Sequence, residues 1–133
     1  ESNWSVIERR SEGRRPTLVH GDLVPKNLRV RVGRTGSTLV ALDWGSAGWG
    51  LGAADLGLVD LPSYASIVGR QWPEFTLERA RETACVGKVF RWVTAVHAVS
   101  ARMGDSVRDG AVTLLKECER GLSTAFAELQ ALP

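Results

Sequence analysis

A chain of 133 residues is long enough for a single core, which at this size buries about two thirds of the surface the unfolded chain exposes. Apolar residues at 44% and charged residues at 24% are ordinary globular values and exclude a globally disordered chain. A net charge of +2 is too small to argue for a nucleic-acid partner, and no apolar run approaches the ~20 residues of a membrane span.

In chain order, residues 4–10 read as the end of a helix, broken by Glu12-Gly13 and Pro16. The basic run Arg9, Arg10, Arg14 and Arg15 has no interleaved aromatic residues and reads as a solvated helix end and loop. Thr17-Leu18-Val19 forms a short strand that feeds the stretch His20-Gly21-Asp22-Leu23-Val24-Pro25-Lys26-Asn27. Residues 27–32 then alternate apolar with polar, Gly33-Arg34-Thr35-Gly36 is a turn signal, and residues 38–42 are a second strand. The result is a β-hairpin with Asn27 and Asp43 at its two ends. Adjacent antiparallel strands lie about 5 Å apart, so the hairpin alone brings these two side chains near each other.

After a glycine-rich loop, residues 53–59 predict a short helix, and Pro62 starts another that ends near Gly69. Thr76 caps a long helix running to about Met103, in which Ala84, Val86, Val89, Phe90, Trp92 and Val93 leave little polar face. That helix is expected to be central, with His97 a core histidine. The last helix, residues 106–129, carries Ala111, Leu115, Cys118, Leu122, Ala125 and Leu129 at intervals of four and three, one stripe facing the core. Cys85 and Cys118 are far apart and outside any Cys-x-x-Cys spacing, so free thiols of a reducing cytoplasm are expected. No repeat, low-complexity tract or signal peptide is visible.

The chemistry lies in the hairpin and the loop before it. A loop leaving a strand at Leu18-Val19 can point Asp22 at a substrate hydroxyl and, five residues later, Asn27 at a metal ion bridging nucleotide phosphates. Asp43 arrives sixteen residues after Asn27, at the end of the hairpin. The three supply one proton acceptor and two oxygen ligands, enough for Mg²⁺, which keeps most of its water and takes one or two protein carboxylates. Lys26 either reaches a phosphate or is a solvated loop lysine.

His20-Gly21-Asp22-x-x-x-x-Asn27 resembles the catalytic loop of the aminoglycoside phosphotransferase and choline kinase group, in which Gly replaces the Arg of the protein-kinase loop. Asp43-Trp44-x-x-Ala47-x-x-Gly50 with Asp55-Leu56 resembles the second signature of that group. The resemblance implies an α+β, mainly α fold: the C-terminal lobe of a protein-kinase-like enzyme, helical with a small catalytic β-hairpin. It implies Asp22 as catalytic base, Asn27 and Asp43 as metal ligands, His20 and Asp55 as braces of the loops, and Lys26 as a candidate nucleotide contact. The implied reaction is transfer of the γ-phosphate of ATP or GTP, with Mg²⁺, to a hydroxyl of a small molecule in the cytoplasm. Leu51, Gly52 and Gly57 depart from the usual Asp-Pro and Ala, yet none of these positions supplies a chemical group.

Only about twenty residues precede the catalytic loop, whereas such a kinase needs an upstream lobe with a phosphate-covering turn and a strand lysine. Residues 1–133 are therefore expected to be the catalytic-loop and substrate lobe, a fragment inactive alone, with the N-terminal nucleotide lobe absent from this chain. A non-catalytic interaction or regulatory module built on the same scaffold is the alternative. Gly48-Trp49-Gly50-Leu51-Gly52-Ala53 matches a dinucleotide-binding turn in spelling only, because no strand feeds its first glycine directly. A metallohydrolase using His20, Asp22 and Asp43 lacks the further ligands that paired metals require. The acceptor is left open: Glu74, Glu78, Glu82, Asp105 and Asp109 are candidates for an acidic pocket, and Trp49 and Trp72 for stacking on a sugar or holding a quaternary ammonium. Oligomeric state is not readable.

Overall fold

A computed structural model describes residues 4–101, 103 and 109–132. The chain is mostly helical, with two small antiparallel β-ribbons, an α+β architecture in which the strands occupy the first half.

Helix α1 (Trp4–Ser11) buries Ile7 and sets Trp4 edge-on to Phe90, with ring centroids 6.3 Å apart. Gly13, at φ +69°, turns the chain out of α1 in a left-handed conformation that costs glycine little. Strand β1 (Thr17–Val19) follows, then the hairpin of β2 (Leu28–Gly33) and β3 (Gly36–Ala41), registered from Leu28 opposite Ala41 to Gly33 opposite Gly36. The turn signal thus resolves into a closing glycine pair with Arg34 and Thr35 at the tip. Apolar alternation in the hairpin does not face a core: Val30, Val32 and Leu39 are all exposed.

Strand β4 (Gly48–Gly50) pairs antiparallel with β1, Leu18 opposite Trp49. Sequence patterning misses β4 because Gly-Trp-Gly has neither β-branched residues nor alternation. Residues 53–59, expected as one short helix, form two 3₁₀ turns instead, Gly52–Ala54 and Leu56–Leu58, joined at Asp55. Gly52 and Gly57 weaken a continuous helix there, and the Asp55 side chain is committed elsewhere. Helix α2 (Leu61–Val68) starts where Pro62 allows, capped by Asp60, whose Oδ2 accepts from the Ser63 N–H at 3.0 Å. Hydrogen bonding from Ser63, first from its side chain and then from its N–H, holds the exposed Asp60 carboxyl below its ordinary range.

Helix α3 (Leu77–Ala101) is capped by Thr76 and packs along α4 (Asp109–Ala131). Ile7, Ala53, Val86, Val89, Ala125 and Leu129 form the core between α1, the first 3₁₀ turn, α3 and α4. Gly87 permits the closest approach: a Cβ there would stand 1.7 Å from the Ala53 carbonyl oxygen. The stripe on α4 holds, grading from half-buried Ala111 to fully buried Leu129. Centrality of α3 holds for its first half only. Its buried residues end at Val89, Val93 is exposed, and His97 is an exposed residue rather than a core histidine, because it lies beyond the stretch packed on Ile7 and Ala53. The expected start of the last helix, Ser106, lies outside the described residues.

The basic run divides. Arg9 and Arg15 are exposed, but Arg10 and Arg14 are anchors: both bind Glu82, at 2.9 and 2.6 Å, and Arg14 also donates to Thr83. They tie α1 and the following loop to α3, so the reading of all four as solvated is corrected. Cys118 is buried, Cys85 is half-buried, and both are free thiols. Burial pushes the Cys85 thiol up, away from reactivity. Among the described residues no helix is long and apolar enough to cross a membrane.

Candidate functional site

Strand β1 ends at Val19 and delivers His20 to the interior, where its side chain is almost wholly buried. The Asp22 N–H donates to His20 Nδ1 at 3.3 Å, so that nitrogen carries no proton and Nε2–H donates to the Leu42 carbonyl at 2.8 Å. The imidazole thereby joins the loop after β1 to the end of β3. Trp44 lies against its ring with centroids 4.6 Å apart and the planes tilted by 47°. The indole N–H of Trp44 is itself held by the Ala41 carbonyl at 3.0 Å.

Asp55, between the two 3₁₀ turns, accepts from the His20 N–H at 2.5 Å through Oδ2 and from the Gly21 N–H at 3.0 Å through Oδ1. Two consecutive backbone donors are satisfied by one carboxylate, a charge-assisted pair that fixes the loop's entry. Gly21 makes this turn at φ +80°, and a Cβ on it would stand 2.4 Å from the Ser46 carbonyl oxygen. Only glycine fits.

The turn presents Asp22 half-exposed. Asn27, at the end of the 3₁₀ turn Pro25–Asn27, is buried and folds its Nδ2 back to donate to the Asp22 main-chain oxygen and to Oδ2, both at 2.9 Å. Lys26 Nζ stands 3.2 Å from the same Oδ2, a partly solvated ion pair. Asn27 Oδ1 is left as an acceptor. Across the hairpin, the Leu42 N–H donates to the Asn27 carbonyl at 2.8 Å, so Asp43 is the next residue beyond the rung that Asn27 forms.

Asp43 is the one described non-glycine residue with positive φ, at φ 62° and ψ 64°. Aspartate tolerates the left-handed region better than most residues, at a cost of about 1 kcal/mol. Its carboxylate is exposed and has no hydrogen bond or ion pair among the described residues. Asp43 and Asn27 Oδ1 are oxygen donors of the kind that suits a hard cation. No group of three or more His, Cys, Asp or Glu side chains gathers among the described residues, so a soft-metal cage is not formed there.

Sequence reasoning did not anticipate the tilted ring contact of Trp44 with His20 or the Lys26 contact with Asp22. Trp44 was signalled by its place in the second motif, although nothing in spacing gave it a partner. Of the acidic-pocket candidates, Glu78 and Glu82 line one groove with Glu12, but four arginines, Arg9, Arg10, Arg14 and Arg79, line it too, so it is not an acidic pocket. Glu82 is bound by Arg10 and Arg14, and Glu74 lies 3.8 Å from Arg15. Asp105 and the Asp109 side chain lie outside the described residues. Trp49 is 74% exposed on β4, and Trp72 lines a cavity in which Trp49 takes no part.

The site is thus a turn clamped by one carboxylate, followed by a hairpin that carries further oxygen donors. The model of the phosphotransferase enzyme family (APH) matches residues 3–92, and the chain belongs to that family. The match ends within α3, so it covers the strands, the 3₁₀ turns and α2 but not α4. Comparison with curated proteins and with solved structures gave no match.

Proposed function

We propose that this chain is the catalytic-loop lobe of a protein-kinase-like phosphotransferase that moves the γ-phosphate of ATP or GTP to a hydroxyl of a small molecule. The observation that carries the reading is the clamp of Asp55 on the amides of His20 and Gly21, which leaves Asp22 half-exposed beside Asn27. Family membership supports phosphoryl transfer as the reaction class.

In this reading Asp22 is the general base. Its carboxylate accepts the proton of the acceptor hydroxyl as the oxygen attacks phosphorus, while Asn27 Nδ2 holds Oδ2 in place. Asn27, through Oδ1, and Asp43 would hold Mg²⁺, which neutralises phosphate charge and orients the nucleotide when bound. His20 and Asp55 position the loop and touch no substrate. Lys26 leaves Asp22 for a phosphate oxygen or for solvent; either move takes the cation off Oδ2, which keeps its bond from Asn27 and opens to the incoming hydroxyl. The phosphate-covering lobe is supplied by another part of the polypeptide, and the reaction is cytoplasmic.

The test is substitution in the polypeptide expressed from the complete gene. Asp22→Ala is expected to lower kcat by about 10²- to 10⁴-fold, with little change in KM for the nucleotide. Asp43→Ala is expected to lower turnover and raise the Mg²⁺ concentration needed for half-maximal rate. Near-normal turnover in Asp22→Ala would remove the base assignment.

A further inference from the structure

At the end of β1 opposite to His20, a cavity of about 90 Å³ opens to solvent. None of its lining residues belongs to the catalytic-loop stretch. Its apolar wall is aromatic. Tyr64 and Phe75 meet edge-to-face with centroids 5.7 Å apart, and Trp72 lines the cavity while 37% exposed. Leu51 and Leu56 complete the wall.

The polar part of the lining is predominantly cationic: Arg14, Arg15 and Arg79 against Glu74. Arg14 is spent on Glu82 and Thr83, and Arg15 stands 3.8 Å from Glu74 with both side chains well exposed. The Arg79 guanidinium makes no hydrogen bond or ion pair among the described residues, and neither does the Tyr64 hydroxyl. Burial, with the Asp55 charge adding to it, pushes the Tyr64 phenol up, so the hydroxyl stays a neutral donor.

We infer that this cavity binds a small ring-bearing carboxylate, its ring against Trp72, Tyr64 and Phe75 and its carboxylate on Arg79. An apolar, aromatic recess with a few free polar groups is the usual anatomy of a small-molecule site. A closed apolar cavity of ~150 Å³ holds benzene, so a recess of about 90 Å³ that opens to solvent takes one edge of a single ring and leaves the rest, with its substituent, at the rim. At that rim a carboxylate finds the planar fork of Arg79, whereas an ammonium finds net positive charge. The site goes beyond the phosphotransferase reading and stands without it, since no wall residue is part of the proposed chemistry. Leu56 follows Asp55 directly, so an occupant lies against the turn that clamps His20 and Gly21.

Titration of the polypeptide expressed from the complete gene with benzoate and with benzyl alcohol, followed by amide and indole NMR shifts, tests the site. Benzoate is expected to give saturable shifts that include the Trp72 indole, and benzyl alcohol to bind at least about tenfold more weakly. Arg79→Gln lowers benzoate affinity about tenfold, to the level of the alcohol, and Trp72→Ala removes saturation. Arg81→Gln, exposed on α3 and outside the lining, leaves affinity unchanged. Absence of saturable shifts up to about 20 mM benzoate, equal affinity for acid and alcohol, or an Arg79→Gln chain that binds benzoate normally would each overturn the inference. The acid and alcohol comparison uses the unaltered chain and does not depend on any variant folding.

Discussion

Asp22 is held by contacts of different strength: Asn27 Nδ2 at 2.9 Å on Oδ2, Lys26 Nζ at 3.2 Å on the same oxygen, and its own N–H on His20. The buried Asn27 contact orients the carboxylate, and the exposed Lys26 contact is easily exchanged. Gly21 sets up all three. Gly21→Ala is expected to destabilise the chain by about 2 kcal/mol or more, because it combines a left-handed φ with a clash on the Ser46 carbonyl. Urea unfolding measures this; an unchanged midpoint would mean the loop relaxes freely. At this scale the motif named the residues, but their partners were not legible. A buried histidine linking two elements through one tautomer, or a flexible lysine choosing Asp22 over solvent, depends on the packed positions of Leu42 and Trp44. No spacing encodes those.

Elements of the strand-bearing half are joined less by hydrophobic burial than by directed hydrogen bonds. The hairpin exposes Val30, Val32 and Leu39, and the β1–β4 ribbon exposes Leu18 and Trp49, so Asp55 is the main tie between the 3₁₀ turns and the loop after β1. Asp55→Ala strands two amide donors and is expected to cost about 2–3 kcal/mol, with faster exchange of the His20 and Gly21 amide protons. Exchange at wild-type rates would show that another group takes over. Asp60 gives a pH signature. Its carboxyl is depressed in the folded state, so the cap on α2 contributes fully above the ordinary carboxylate value of 3.8 and is lost as pH falls through the folded value. The stability difference between the wild type and Asp60→Ala is therefore expected at about pH 5 and to shrink toward about pH 3. Helices α1 to α4, β1 and the hairpin were legible from periodicity, breakers and caps. The pairing of β4 with β1 was not, because a Gly-Trp-Gly segment becomes a strand only when a partner is already beside it. Two 3₁₀ turns replaced one helix for a related reason: the tertiary role of Asp55 outweighs local propensity.

Over the whole molecule the core sits to one side of the proposed site, between α1, α3 and α4, and the strands project from it. The first 3₁₀ turn links the two regions through Ala53, whose carbonyl fits against Gly87. Gly87→Ala is expected to cost about 3 kcal/mol and to lower thermal stability, since backbone rather than a flexible side chain blocks the added methyl. An unaffected melting temperature would mean that the 3₁₀ turn slides on α3 without penalty. Amphipathic spacing made the core stripe of α4 legible from end to end, whereas in α3 the apolar residues that continue past Val89, through Val93 and Val96, concealed where its burial stops. Phosphoryl transfer itself is tested most directly by product analysis of the complete gene product incubated with ATP, Mg²⁺ and a panel of small hydroxyl compounds. Equal amounts of ADP and phosphorylated acceptor, lost in Asp22→Ala, are the predicted result. Release of inorganic phosphate with no phosphorylated acceptor, undiminished in Asp22→Ala, would contradict it.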